Sequence, residues 1–450
     1  MQHDLITLPS PVSFLMNRLC QAGFSAYAVG GCIRDSLLGQ SPHDWDICTS
    51  ALPDQIQHVF ADQRLVTTGL KHGTVTVVLD HIPFEITTFR VDGSYSDHRH
   101  PDGVIFVRDV REDLARRDFT INAMAFSSSE GLVDAFEGQR DLDRRIIRCV
   151  GDPSLRFEED ALRILRALRF ASVYDFTVDP LTDEALRRLA PTLRRVAAER
   201  IREEFIKLLC GPGAGRILRS YPRVIAEFLP EISPMIGYDQ NNHHHLYDLW
   251  EHTVRAVENI PPDPVLRVTM LLHDTGKPAV RVTDSQGESH YPGHQPASAR
   301  IAEAVLNRLR FDHESRDRIL LLIENHDIPL RNAQGEVNVD QRFLLRRLHR
   351  FGEANLRALF LIHRADRTAT GYSTAERETL RCQERENALN ALLAQNPCFQ
   401  LKDLAVNGRD LLAVGLRGRE IGETLQRLLE AVMNQEVPNE REALLARLTA

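Results

Sequence analysis

Strand-type alternation stops about one third of the way along this 450-residue chain, and from Gly151-Asp152-Pro153 onward a helix-rich pattern runs to the end. That switch limits the fold more than any other feature. Before it, VTVVLD (75–80) and FEITTFR (84–90) alternate apolar and polar residues, as half-buried neighbouring strands of one sheet do. The expected class is therefore α+β, a mixed sheet with helices followed by all-α segments. One core cannot serve so long a chain, so roughly three or more domains are expected.

Composition narrows the function classes. The formal charge of −8 has the wrong sign for a nucleic-acid binder judged as a whole, so any RNA contact must use a local basic surface. Seven cysteines without a C-x-x-C argue against a zinc knuckle and for reduced thiols in a cytoplasm. No charged-then-apolar leader opens the chain, and no run approaches the roughly twenty apolar residues that cross a bilayer. A cytoplasmic enzyme with no membrane partner is expected; the oligomeric state is not legible.

Residues 26–49, AYAVGGCIRDSLLGQSPHDWDICT, read as a short strand, a tight turn, a helix stopping at Gly39, and a second strand carrying Asp44 and Asp46. Two positions apart on a strand, both carboxylates point one way and can hold Mg²⁺, which in turn clamps phosphates. Gly30 and Gly31 let the backbone approach a phosphate.

GGxIRD followed by DWD resembles the first motif of the class II tRNA nucleotidyltransferase (CCA-adding enzyme) and bacterial poly(A) polymerase family, within the polymerase-β-like superfamily. The resemblance implies a nucleotidyltransferase head, an all-α neck, an HD domain and a tail, over 1–150, 151–235, 236–375 and 376–450. It implies Glu85 as a third carboxylate beside Asp44 and Asp46, and it places Arg34 among the nucleotide-binding residues. ARRDFTINAMAF (115–126) is similar to the family's RRDFT element, with Arg117 as a triphosphate ligand and Asp118 checking the ribose 2′-hydroxyl. Asn122 would support that turn through bonds to backbone. The loop at 91–111, with Arg99, corresponds to a flexible loop that helps switch nucleotide specificity.

EEDALRILRALRFA (158–171) reads as one helix with Asp160, Arg163, Arg166 and Arg169 at three-residue steps. An aspartate and an arginine three apart lie side by side on a helix and can read the Watson–Crick edge of a base. The family's E-D-x-x-R element matches Asp160 and Arg163, and Arg166 and Arg169 would then meet the triphosphate. The amphipathic stretch 193–218 resembles the neck helix.

Between 243 and 370, His252, His273-Asp274, His294, His326-Asp327 and Asp366 resemble the HD phosphohydrolase superfamily. The resemblance implies one divalent ion on His252, His273, Asp274 and Asp366, and a second near His294 and His326. Lys277 could support a phosphate, and the HHH run at 243–245 reads as a polar lead-in. In the tail, Asn407-Gly408 reads as a turn, a helix enters at Arg419, and Arg409, Arg417 and Arg419 offer a basic patch for tRNA.

The expected activity is template-independent addition of CMP and AMP, from CTP and ATP, to the tRNA 3′ end, with Mg²⁺ at the head. A metal-dependent phosphohydrolase activity in the HD domain would accompany it. A poly(A) polymerase, an enzyme adding only A or only CC, and an HD phosphohydrolase with a vestigial head stand as alternatives.

Overall fold

The first unit of the fold is built on one mixed sheet, the second on helices alone apart from a short hairpin. The computed structural model describes residues 6–93, 103–330 and 335–449. The two compact units are Met1–Pro230 and Glu231–Ala450.

In the first unit, α1 (Ser10–Gln21) precedes β1 (Ala26–Val29), α2 (Gly31–Leu37), β2 (Asp46–Thr49) and α3 (Pro53–Val59). There follow β3 (Arg64–Val66), β4 (Thr74–Leu79), β5 (Ile82–Thr88) and the small pair β6 (Arg90–Asp92) and β7 (Val104–Phe106). After α4 (Val110–Ala115) come β8 (Ala125–Ser127), β9 (Gly131–Val133), α5 (Gly138–Arg144) and β10 (Ile146–Ile147). The seven-stranded sheet runs β3-β4-β5-β2-β1-β8-β9, with β2 and β5 parallel and the other neighbours antiparallel. Its inward face packs Tyr27, Val29, Cys48, Phe89, Ala123 and Ala125 against Val110 and Leu114 of α4.

The helical part of this unit holds α6 (Pro153–Glu159), α7 (Leu162–Val173), α8 (Pro180–Leu189), α9 (Ala198–Cys210), α10 (Ala214–Ser220) and α11 (Pro222–Ala226), with β11 (Thr177–Val178) pairing to β10. Leu162, Leu165, Leu168 and Phe170 are buried where α7 packs on α9.

The second unit comprises α12 (Leu249–Asn259), α13 (Pro264–Leu272), the hairpin β12 (Val282–Thr283) and β13 (Ser289–His290), α14 (His294–Arg308), α15 (His313–Glu324), α16 (Gln341–Ala369) and α17 (Ala375–Leu393). It ends with α18 (Gly408–Ala413), α19 (Arg419–Met433) and α20 (Arg441–Thr449). Asp248, Asp263, Asp312 and Asp340 each accept a backbone N–H at a helix start, a cap worth about 1 kcal/mol apiece.

Several local readings change. Asp44 lies two residues ahead of β2 rather than on it. Ser10 is the first residue of α1, with Pro9 at the cap. Residues 158–171 are not one helix: Asp160 is extended (φ −142°, ψ 104°) and separates α6 from α7. Asp366 lies within α16, which is kinked at Gly352, whose φ of 72° no helix accepts. Asn407 caps α18 through Arg409 N–H, so Asn407-Gly408 begins a helix. Residues 94–102 of the 91–111 loop, including Arg99, lie outside the described residues.

Candidate functional site

Strand register assembles the head carboxylates. Val29 pairs with Asp46 across β1–β2, so Asp46 lies beside the Gly30-Gly31 turn. The parallel register Ile47 to Ile86 sets Asp46 and Glu85, each one residue earlier, side by side at the sheet. Asp44, Asp46 and Glu85 line one cavity of about 460 Å³ together with His43, Trp45 and Thr76. Burial raises the Asp46 carboxyl, Arg117 draws it down, and Asp44 raises it again. Burial, then Asp46, then Asp44 raise Glu85. Three carboxylates that repel one another in a cleft form a donor set suited to a divalent cation.

Gly30 (φ 83°) caps α2, and a Cβ there would lie 2.8 Å from Arg117 Nη1. The glycine therefore lets the guanidinium lie over the turn. Arg34 donates to Asn122 Oδ1 at 2.5 Å and Asn122 Nδ2 to Asp118 Oδ1 at 3.1 Å. Asn122 thus bridges side chains rather than bonding backbone. Asp118 also accepts from Phe119 N–H (2.8 Å) and from both Nε and Nη2 of Arg166 (2.9 and 2.6 Å). Those bonds fill the roughly four lone-pair positions a carboxylate has, so any further donor would have to displace one. Burial alone would raise Asp118, but Arg166 and Asn122 hold it at about 2. Arg169 Nε lies 2.6 Å from Glu204 Oε2, and Arg166 Nη1 lies 3.5 Å from Glu204 Oε1.

Asp160 and Arg163 are neighbours through a backbone bond, Arg163 N–H to the Asp160 carbonyl at 3.0 Å, and not through a shared helix face. The Asp160 carboxylate pairs with Arg200 (2.7 Å) and accepts from Leu162 N–H (3.0 Å). Arg163 pairs with Glu159 at 2.6 Å and donates to the carbonyls of Arg156 and Arg116.

In the second unit four helices and their ends bring the histidines together. His252 sits on α12, His273 caps α13 with Asp274 beside it, His294 opens α14, His326 follows α15, and Asp366 lies on α16. His252 Nε2 lies 3.3 Å from Asp274 Oδ2 and 3.1 Å from Asp366 Oδ1; His273 Nε2 lies 3.2 and 3.4 Å from the same atoms. Such spacings suit ligands about 2.1 Å from one ion. The other Asp274 oxygen faces His294 Nε2 (3.5 Å) and His326 Nε2 (3.8 Å), a second donor group sharing the bridging carboxylate.

The Nδ1 atoms of His273, His294 and His326 face the carbonyls of Met270, Tyr291 and Ile323 at 2.6, 2.9 and 2.7 Å. Donation there turns each Nε2 lone pair inward, the outer-shell arrangement of metal-binding histidine. His252 Nε2, His273 Nε2 and Asp274 Oδ1 are buried without a hydrogen-bond partner, a shortage that a divalent ion would fill. Burial would lower His273, but Asp274 and Asp366 raise it to about 10. Lys277 Nζ pairs with Asp274 at 2.7 Å and donates to Gln240.

Residues 26–148 match the poly A polymerase head domain and residues 243–371 the HD domain. A CCA-adding enzyme of Levilactobacillus brevis is 35% identical over 432 residues, covering 95% of this chain and 94% of that one. The chain belongs to the CCA-adding enzyme family. Another CCA-adding enzyme, from Limosilactobacillus fermentum, is 49% identical over 209 residues, a match spanning 46% of this chain and 52% of the other. The crystal structure of Bacillus stearothermophilus CCA-adding enzyme in complex with CTP superposes with a TM-score of 0.70 at 29% identity, covering 98% of both chains. The Thermotoga maritima CCA-adding enzyme complexed with tRNA shares the fold at a TM-score of 0.60 and 22% identity, covering 98% of this chain and 96% of that one.

Sequence reasoning missed Arg200 and Glu204, the partners that α9 brings to Asp160 and to Arg166 and Arg169. It also missed much of the wall of the 270 Å³ cavity over the histidine cluster, which His244, His245, Tyr291 and Arg367 line. His245 is no mere lead-in: its ring packs on His252 at 4.9 Å, and burial with Lys277 lowers it to about 3. In the tail, Arg409, Arg417 and Arg419 are exposed, while an open cavity of 450 Å³ is lined by Arg427, Arg447 and Asn434 instead.

Proposed function

We propose that this protein adds CMP and AMP to the 3′ end of tRNA, using CTP and ATP, with Mg²⁺ held by Asp44, Asp46 and Glu85. The observation that carries the reading is the cleft in which these three carboxylates converge beside the Gly30-Gly31 turn, in a chain matched almost end to end by a CCA-adding enzyme. When bound, the divalent ions supply charge that lowers the pKa of the attacking 3′-hydroxyl and offsets charge on the departing pyrophosphate. Gly30, Gly31 and Arg117 receive the triphosphate, because the missing Cβ leaves room for the Arg117 guanidinium over the turn. Arg34, Asp118, Arg166 and Arg169 fix the nucleotide from the hydrogen-bonded network behind it. Asp160 and Arg163 read the base, one as acceptor and the other as forked donor.

The domain assignment 1–150, 151–235, 236–375 and 376–450 goes with this reading, the tail meeting tRNA. A cytoplasmic location fits seven cysteines that form no disulfide among the described residues, and no described helix is long and apolar enough to cross a membrane. We assign His252, His273, Asp274 and Asp366 to one divalent ion and His294 and His326, with Asp274, to a second. A phosphohydrolase reaction there draws on the basic cavity wall of Lys277 and Arg367.

The test is product length on a tRNA lacking its terminal CCA, with CTP alone, ATP alone and both. CCA completed only with both nucleotides is expected; a long A tract, or arrest after CC, refutes the assignment. Turnover of a cyclic phosphate with Ni²⁺, Mn²⁺ or Mg²⁺ tests the second activity, and none with any of the three defeats it.

A further inference from the structure

The β12–β13 hairpin and the loop ahead of α12 gather a donor set that neither site uses. Asp284 Oδ2 lies 2.9 Å from His290 Nε2, and one donor atom from each of Asp284, Glu288 and His290 lies within 4.8 Å of the others. His243 stands beside this set, its Nδ1 in contact with Glu288 Oε1 but not within 4.8 Å of all three, so it joins as a fourth donor by turning its side chain.

Hydrogen bonds to backbone groups, not these pairs, hold the arrangement. Asn241 Nδ2 donates to the Gly287 carbonyl at 2.6 Å, Asn242 Nδ2 to the Ser289 carbonyl at 2.8 Å, and Ser289 N–H to the Asn241 carbonyl at 2.9 Å. Asp284 Oδ1 accepts from the N–H groups of Gln286 and Glu288, both at 2.9 Å, which fixes its direction. The loop carrying His243 is therefore fastened to the hairpin carrying the other three, so the donors are preorganised. Exposed ion pairs of this kind contribute little to stability, and the hairpin does not need them. Two imidazoles with two carboxylates suit borderline divalent ions such as zinc, cobalt or nickel better than magnesium. His290 also lines the 270 Å³ cavity over the buried histidine cluster, so the set lies at its rim.

We propose that His243, Asp284, Glu288 and His290 form an outer transition-metal site at the mouth of that cavity, separate from the buried ligand set. Exposure makes it the rapidly exchanging site of the unit. Titration calorimetry with Zn²⁺ on the metal-stripped full-length protein tests it, using His243→Ala/His290→Ala and Asp284→Asn/Glu288→Gln double variants. Each is expected to bind one equivalent fewer than the unaltered protein, with unchanged metal-free Tm and unchanged nucleotide incorporation. A His273→Ala variant is expected to keep the outer equivalent while losing buried ones. Full stoichiometry and affinity in both double variants overturn the proposal, and the carboxylate variant decides if the histidine pair lowers the metal-free Tm.

Discussion

Replacing Asp118 with asparagine probes the network that joins the Gly30-Gly31 turn to α7. The side chain keeps its shape, loses its charge and exchanges one acceptor oxygen for an amide donor. Arg166 and Asn122 hold the carboxyl at about 2, against the ordinary 3.8 and against burial. That difference corresponds to about 2 kcal/mol of native-state stabilisation at neutral pH. Because the folded value is depressed, the contribution is complete above pH 3.8 and disappears as pH falls through about 2. For a unit spanning Met1–Pro230, a loss of about 2 kcal/mol lowers Tm by about 4–8 °C. Thermal and urea denaturation followed by circular dichroism, at pH 7, 4 and 3, measure it. The gap between Asp118→Asn and the unaltered protein should be full at pH 7 and narrow below pH 4. Equal stability at pH 7, or a gap that persists unchanged at pH 3, refutes the assigned charge pairing.

Asp46→Asn should reduce nucleotide incorporation by at least about 10³-fold yet leave metal-free Tm equal or slightly higher, since it removes repulsion felt by Glu85; a clear fall in metal-free Tm contradicts the reading. Gly30→Ala, which forces a Cβ to 2.8 Å from Arg117 Nη1 at φ 83°, should cost about 1–2 kcal/mol and raise KM for CTP and ATP, and an unchanged KM would remove Arg117 from the triphosphate. Stripping metal with a chelator should lower the Tm of the helical unit, and affinity at the buried centre should rise with pH because His273, held at about 10, must release its proton; pH-independent binding between 6 and 9 argues against these ligands. Glu204→Gln should loosen Arg166 and Arg169 and slow incorporation more than it weakens tRNA binding, as single-turnover kinetics would reveal.

Local pattern made much of this legible. Alternation placed β4 and β5, apolar runs ending in His-Asp placed His273 and His326 at helix ends, and Gly39 marked the stop of the helix through Arg34. What escaped depends on contacts distant in sequence or on single backbone angles. Three-residue spacing cannot reveal that Asp160 is extended, because the same residue types suit a helix face and a helix junction. Nor can it show Arg200 and Glu204 reaching back from α9. The kink at Gly352 has one visible sign, a glycine in a helical run, which ordinary helices also tolerate. His245 carried no periodic signal, since its place against His252 follows from how the loop enters α12.

The break at Asp160 bears on how base preference can change. A residue on an open helix face can be exchanged for almost any other, but position 160 must also hold the first N–H of α7 through Leu162. Only short hydrogen-bonding side chains meet that demand: aspartate, asparagine, serine or threonine. If Asp160 and Arg163 read the base as proposed, the contacts open to position 160 are narrow, and altered selectivity is more readily reached through Arg163, whose side chain bonds the carbonyls of Arg156 and Arg116 but does not hold the start of α7. The junction works as a filter on which specificities can be reached by single substitutions.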